Sequence, residues 1–351
     1  MVLNVVLQGT QAGAARLAPY RGAEAVASFT SPAAELDALL HSAGLSHLTW
    51  RGKLVVSGED RTRWLNGMVS NNTRDLQLNH GNYSFLLNAQ GRIQADLNAY
   101  NRGEIFMVCS TLDQLPRIAA VFEKHIIMDD VELTDISAKL ASLAVTGPKS
   151  REMLARAGFD FPALAPGAVH DLQWNGLGMT LAREPDERFE SYELWLHPDN
   201  LARVWEALTT AGAVPAGTDA LEAHRILLGI PQIGRDIRER ELPQETGQLQ
   251  AIHHNKGCYI GQEIVERIHS RGAVHRILAS LEFASALPES GARVIAGGNE
   301  AGEITSAVQI EVNGRRRLLG LGYLRREAAA LGAILQAGGV ETTVAQLPFK
   351  M

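Results

Sequence analysis

Cysteine is nearly absent from this chain of 351 residues; Cys109 and Cys258 are the only two. A disulfide framework and a CxxC pair are therefore excluded, and the chain alone cannot supply four thiolates to an iron–sulfur cluster. Such sparing use fits a reducing compartment. No run approaches the ~20 apolar residues that a bilayer crossing needs. The apolar start MVLNVVLQGT has no Lys or Arg before it, so no secretory signal is read there, and a cytoplasmic location with no membrane contact is expected. Positive charge is not in excess: 33 Lys and Arg stand against 39 Asp and Glu, a net charge of −6. Coating of nucleic acid by bulk charge is thereby disfavoured, and no strong direct nucleic-acid binding is expected. The run Arg315-Arg316-Arg317, with Arg325-Arg326 nearby, fits either a solvated hairpin or a local phosphate contact. Heptads, 20–50-residue repeats and HExxH spacing are also missing. The glycines of GGNEAG do not follow a strand and open a helix, so neither a Rossmann nor a P-loop reading survives.

What remains is a globular composition, 46% apolar and 21% charged. At ~100–200 residues per domain the length suits two or three domains. Residues 10–33 are rich in Ala, Gly and Ser and read as a loosely attached lead-in or edge element. Ser31 as N-cap and Pro32 then open a helix carrying Leu36, Leu39 and Leu40, with Gly44 as its stop. A strand around Trp50, Leu54 and Val56 leads to a short helix with Trp64, Leu65 and Met68 on one face. The segment from Asn82 to Ser110 predicts three strands joined by the turns Gln90-Gly91 and Arg102-Gly103. Helices are expected over 111–127, from Pro148, over 200–212 and through DALEAHRILLG, where Leu221, Ile226 and Leu228 form the buried face. Hairpins outnumber βαβ crossovers, which argues for an α+β class and against a doubly wound sheet. From about residue 275, short alternating strands between Gly-rich turns predict a small β-barrel or sandwich.

The densest stretch is HHNKGCYIGQEIVERIHSRGAVHR, residues 253–276. Gly257 and Gly261 bracket Cys258-Tyr259-Ile260 and permit a tight turn with close backbone approach. GQEIVERIHS reads as a helix with Gln262 and Glu263 in its first turn, and Glu263 can pair with Arg267 four residues on. Cys258 then sits just ahead of a helix N-terminus and near Lys256, two influences that favour thiolate. The residues alone fit a reactive thiol and a small buried hydrophobe equally. His253 and His254 lack the spacing of a metal site, and structural or exposed histidines are expected. Arg225 fits an anion contact or a salt bridge.

Lys256-Gly257-Cys258-Tyr259-Ile260-Gly261-Gln262-Glu263 resembles the KGCYxGQE signature of the YgfZ family, folate-binding relatives of the glycine-cleavage T-protein (aminomethyltransferase). GEDRTRWL from Gly58, Asn88-Ala89-Gln90-Gly91-Arg92, Leu227-Leu228-Gly229-Ile230-Pro231 and Pro243-Gln244-Glu245 occur in that family's order. The resemblance runs from about residue 45 to the C-terminus and leaves residues 1–30 uncovered. It implies a three-domain arrangement around a central channel. The boundaries are then a lead-in and first helix over 1–45, two mixed α+β folate-binding domains over 46–273, whose segments can interleave, and a C-terminal β-barrel over 274–351.

The resemblance further implies tetrahydrofolate, or a one-carbon derivative, as cofactor. The function it implies is support for the assembly or repair of iron–sulfur clusters in client enzymes, some of which modify tRNA. Cys258, with Lys256 beside it, would be the working residue. Asn88, Arg92 and Asp96 would face the pterin or its neighbours, with Gly257, Tyr259, Gly261, Gln262, Glu263 and Arg267 completing the binding set. This is a binding or accessory role rather than turnover. The alternative is an aminomethyltransferase of the glycine-cleavage type. Two departures weigh against it: Ala95-Asp96 stands where T-proteins tend to carry paired acids, and Phe189 falls near the Glu of their YTGE segment, with only Glu190 and Glu193 close by.

Overall fold

The computed structural model describes residues 15–349 except 273 and 313, and of Arg271 only the backbone. In chain order the elements are β1 (Arg16–Tyr20), β2 (Ala23–Ser28), α1 (Pro32–His41), β3 (Gly44–His47), β4 (Arg51–Ser57), α2 (Arg61–Met68), β5 (His80–Leu87), β6 (Ile93–Asn101), β7 (Phe106–Thr111), α3 (Leu115–Lys124) and β8 (Glu132–Asp135). There follow β9 (Ala141–Thr146), α4 (Ser150–Arg156), β10 (Val169–Trp174), β11 (Leu177–Arg183), β12 (Ser191–Leu196), α5 (Leu201–Thr210), β13 (Val214–Pro215), α6 (Thr218–Leu228) and α7 (Gln262–Arg271). The last six strands are β14 (Arg276–Phe283), β15 (Arg293–Ala296), β16 (Asn299–Val312), β17 (Arg315–Arg325), β18 (Ile334–Ala337) and β19 (Val340–Ala345).

Two compact units result. One comprises the chain up to Ser84 together with Ala95–Leu221; the other comprises Phe85–Gln94 and everything from Glu222 on. The tip of the β5–β6 hairpin thus belongs to the second unit. The first unit holds a five-stranded sheet of order β5-β6-β7-β4-β8 and a six-stranded sheet of order β10-β11-β12-β9-β3-β13. Strands β3 and β4 are neighbours in sequence yet enter different sheets, so the two α+β modules share their segments. The helices cover these sheets with alternating apolar faces, as in α3, where Leu115, Ile118 and Phe122 are buried and Trp64 of α2 meets Phe122 edge-on at 5.1 Å.

The N-terminal segment departs from its expectation. Residues 16–28 form the β1–β2 hairpin, and Ala25 and Ala27 are almost fully buried while Val26 and Phe29 join the main core. Tyr20 packs edge-on against Trp50 at 4.6 Å. Small side chains here signal close packing rather than loose attachment. Ser31 caps α1 as expected, its Oγ accepting from Ala34 N. The fully buried carboxylate of Glu35 accepts from the Phe29 and Gly217 amides at 2.7 and 2.8 Å. On α6 the buried apolar residues are Ala220, Ala223, Ile226 and Leu227, with Leu221 and Leu228 only half-buried.

The second unit is dominated by a closed six-stranded barrel of order β14-β17-β16-β15-β18-β19, antiparallel throughout, which leaves no free strand edge. Leu281, Val294, Ile304 and Leu324 fill its interior. A buried polar knot fastens α6 to it: Asp236 accepts from Arg225 Nη1 (2.7 Å), Gln232 N (2.9 Å), Thr305 Oγ1 (2.5 Å) and Ser306 Oγ (2.7 Å). Arg225 is therefore held in ion pairs with Asp236 and Glu222. Replacing Asp236 by Ala removes one of the two carboxylates that pair with Arg225 and the acceptor of Ser306 Oγ, so a loss of about 2–4 kcal/mol in unfolding free energy is expected, to be read by urea denaturation.

Candidate functional site

The signature segment lies in the second unit, and its glycines do the positioning. Gly257 and Gly261 adopt φ of +92° and +83°, a backbone region that side-chain-bearing residues rarely enter. Gly261 is the N-cap of α7. A Cβ there would sit 2.5 Å from the Asn88 carbonyl oxygen, and one on Gly91 would meet Ile264 at 2.9 Å. The start of α7 and the Asn88–Arg92 turn are thus in contact that only glycine permits.

The side chains around this contact divide sharply. Cys258 is exposed, whereas Lys256 is fully buried with its ammonium 4.8 Å from the Tyr259 ring centroid. The thiol and the amine expected to work side by side are therefore sorted to solvent and interior. The Tyr259 hydroxyl is buried without a hydrogen-bond partner, and burial raises its pKa. Gln262 is half-buried; Glu263 and Arg267 are both exposed and form no ion pair with each other. Asn88 is committed to its own turn, its Oδ1 accepting from the amides of Gln90 (3.0 Å) and Arg92 (2.9 Å), and the Arg92 guanidinium donates to the Arg240 carbonyl. His254 Nδ1 lies 2.7 Å from Glu266, and its ring stacks on His269 at 3.8 Å. Among the described residues no group of three or more His, Cys, Asp or Glu side chains is placed to hold a metal ion. Cys109 is a core residue whose thiol pKa is pushed up to about 12, chiefly by burial.

Asp96 lies in the first unit, on β6, and is the anchored carboxylate there. Its Oδ2 accepts from the Tyr83 hydroxyl at 2.8 Å and its Oδ1 from Gln114 Nε2 at 2.9 Å, while its own amide donates to Gln114 Oε1 at 3.0 Å. Thr111 Oγ1 fixes the Gln114 amide from behind. Burial and the Asp96 charge hold the Tyr83 phenol well above its usual pKa, so it remains a donor at neutral pH, and the guanidiniums of Arg21 and Arg188 act against that shift. Tyr83, Gln114, Arg21 and Arg188 were not read from the sequence. Tyr83 and Asp96 lie on neighbouring strands of one sheet, a pairing legible from the hairpin register, but Arg21 arrives from the N-terminal turn and carries no local signal.

A second carboxylate, Glu193, is the hub of a buried ion cluster. It accepts from Ser142 Oγ (2.7 Å) and Trp195 Nε1 (2.9 Å), with Arg51 Nε at 3.0 Å and Lys53 Nζ at 3.9 Å. Burial pushes its pKa up, and Arg51, Lys53 and the two hydrogen bonds outweigh that, leaving it ionised. Glu190 accepts from the Tyr192 hydroxyl at 2.8 Å. Nearby Glu184 is pushed up to about 7 by burial, with Arg51 opposing.

Residues 8–256 match the family model described as the GCVT N-terminal domain. The chain belongs to that family. Residues 276–349 match a second model, the CAF17 C-terminal β-barrel domain. The GCVT match reaches back to residue 8, further than the motif resemblance did, in keeping with the packed N-terminal hairpin. Curated relatives include an aminomethyltransferase of Rubrobacter xylanophilus, 27% identical over 95% of this chain and 90% of its own length. A putative chloroplastic transferase of Arabidopsis thaliana is 26% identical over 92% and 75%. The aminomethyltransferase T of the Bartonella henselae glycine cleavage system superposes with a TM-score of 0.88 at 20% identity, covering 100% of this chain and 97% of its own, which establishes a GCVT-like fold.

The raised pKa of Glu184 makes a pH-dependent contribution to stability. Between its ordinary value of 4.5 and about 7 the folded state keeps a proton that the unfolded chain has released, so this contribution is fully present below 4.5 and is lost as pH rises through 7. Glu184→Gln removes that loss. At pH 8 the variant is expected to be more stable than wild type by about 1–2 kcal/mol, with little difference at pH 4, as thermal melts at the two pH values will show.

Proposed function

We propose that this GCVT-family chain is a tetrahydrofolate-binding accessory protein that supports assembly or repair of iron–sulfur clusters in client enzymes, tRNA-modifying ones included, and belongs to the YgfZ branch. The observation that carries this reading is the exposed Cys258, held on a glycine-bracketed turn seated against the Asn88–Arg92 turn. A fixed, solvent-facing thiol suits contact with a partner macromolecule, whereas one-carbon transfer to folate has no need of it. Two cysteines, one of them in the core, leave any cluster contact transient or shared with the client.

The first unit fits a reduced pterin. Each oxygen of Asp96 keeps a lone pair after Tyr83 and Gln114 are served, so the carboxylate can accept N–H groups of a heterocycle whose place it fixes. Bound tetrahydrofolate would supply a carrier for a one-carbon unit. Asp96 orients it, and Tyr83 and Gln114 hold Asp96 in place. The names of the relatives favour a second reading, a folate-dependent aminomethyltransferase in which Asp96 serves the same binding role.

Anaerobic calorimetric titration with tetrahydrofolate is expected to give saturable one-to-one binding; no detectable heat at high micromolar ligand would overturn the folate reading. Cys258→Ala is expected to leave melting temperature and folate affinity within error while support of cluster-containing enzymes is lost. Retained support in that variant, or aminomethyl transfer at an unchanged rate, favours the transferase instead.

A further inference from the structure

The second unit holds a cavity that the proposed function leaves unused. Its volume is about 300 Å³, and it is lined by residues of β14 to β17 together with Arg240 from the chain between α6 and α7. Tyr323 lines it from β17. That residue is only 1% exposed, and its hydroxyl is buried with no hydrogen-bond partner. Burial, followed by the charges of Glu241, Asp236 and Glu245, holds the phenol well above its ordinary pKa against the opposing Arg276, so the hydroxyl is a donor at neutral pH.

The guanidiniums around this hydroxyl are not used up by the acids beside them. Arg276 lies over the Tyr323 ring at 5.0 Å and spends Nε on Glu245 (3.0 Å) and Nη2 on Glu241 (3.3 Å). Its Nη1 has only Glu303, at 4.0 Å, beyond hydrogen-bond reach. Glu303 is already answered by Arg238 at 2.8 Å and by Arg240. Arg293 pairs with the exposed Glu300 at 3.4 Å, while Arg325 stands exposed at the rim and pairs with no carboxylate among the described residues. A buried hydroxyl beside cationic N–H groups that lack an acceptor is costly, and an anion with several oxygens would complete them together. The volume exceeds that of a bare anion and lies near the lower end for small-molecule sites, about 300–1,000 Å³. Tyr323 is the only aromatic ring in the lining among the described residues, so nothing sandwiches a flat base. The walls suit a hydroxyl-rich body instead.

We propose that this cavity binds a sugar phosphate, with the Tyr323 hydroxyl, Arg276 Nη1 and the Arg325 guanidinium donating to its phosphate oxygens. The inference does not rest on the folate reading.

The test is titration calorimetry of the full chain in phosphate-free buffer with ribose 5-phosphate, ribose and malate. Wild type is expected to bind ribose 5-phosphate with a dissociation constant on the order of 0.1–1 mM, malate more weakly and ribose not at all. Tyr323→Phe keeps the ring under Arg276 and removes only the unpartnered hydroxyl. Its melting temperature without ligand is expected to equal or exceed that of wild type, while its affinity for ribose 5-phosphate falls about tenfold. Arg325→Met is expected to lose about as much. Arg316→Met, which alters an exposed arginine of the same strand outside the cavity, is expected to bind as wild type does. No heat from ribose 5-phosphate at high millimolar concentration overturns the inference, as does unchanged affinity in Tyr323→Phe. A lowered melting temperature in Tyr323→Phe overturns it as well, because the hydroxyl then serves the fold. Equal losses in Arg316→Met and Arg325→Met would mean that bulk charge governs, and malate binding as tightly as ribose 5-phosphate would remove the phosphate assignment. None of these ligands carries a pterin, so each of these failures leaves the folate reading standing.

Discussion

The first unit depends on Glu193. Its carboxylate lies between two sheets and is answered from both: Arg51 and Lys53 come from the five-stranded sheet, Ser142 and Trp195 from the six-stranded one. Desolvating a carboxylate, a guanidinium and an ammonium together costs several kcal/mol per ion, and attraction at close range recovers it only in good geometry. Such a cluster adds little net stability over an apolar core. It does impose one register between the sheets, because any slip strands a buried charge. Lys53 shows the tension directly, since burial lowers its pKa while Glu193 opposes that shift.

A sheet pair held in one register can carry a carboxylate at a defined point, and Asp96 uses that rigidity. Its two oxygens are restrained by different partners, Tyr83 from the neighbouring strand and Gln114 from the loop ahead of α3. Restraint of this kind reduces the reorganisation needed when a polar ligand arrives. Cys258 stands in another environment, at the surface of the second unit, where contact with a large partner is sterically open. On the proposed function, binding of a small molecule and handling of a partner would fall to separate units.

Much of the architecture was legible because it is written locally. Strand-turn-strand patterns with Gln90-Gly91 and Arg102-Gly103 gave the β5–β6–β7 meander, and alternation with Gly-rich turns gave the barrel. The helix after Gly261 was legible for the same reason. What escaped was set by distant contacts. Ala-rich residues 23–28 read as loose, since small side chains look weak until their packing partners are known. Lys256 was expected to work beside Cys258, and only the fold shows it buried against Tyr259. Arg21, Gln114 and Glu184 sit beside residues far away in the chain, and no periodicity encodes such meetings. The Cys258 alternatives were open for the same reason: exposure is a property of the fold.

The contact between Gly261 and the Asn88 carbonyl has a consequence for chimeras. Two segments far apart in the chain meet with no room for even a methyl group, and Gly91 repeats the restriction from the other side. A Cβ on either glycine must push the other segment's backbone or Ile264 aside, so the two cannot drift independently. A chimera that joined the front of this chain to the back of another would keep this contact only with glycine at both places. The Asn88–Arg92 turn and the Cys258 turn are therefore constrained together, although nearly half of the chain lies between them.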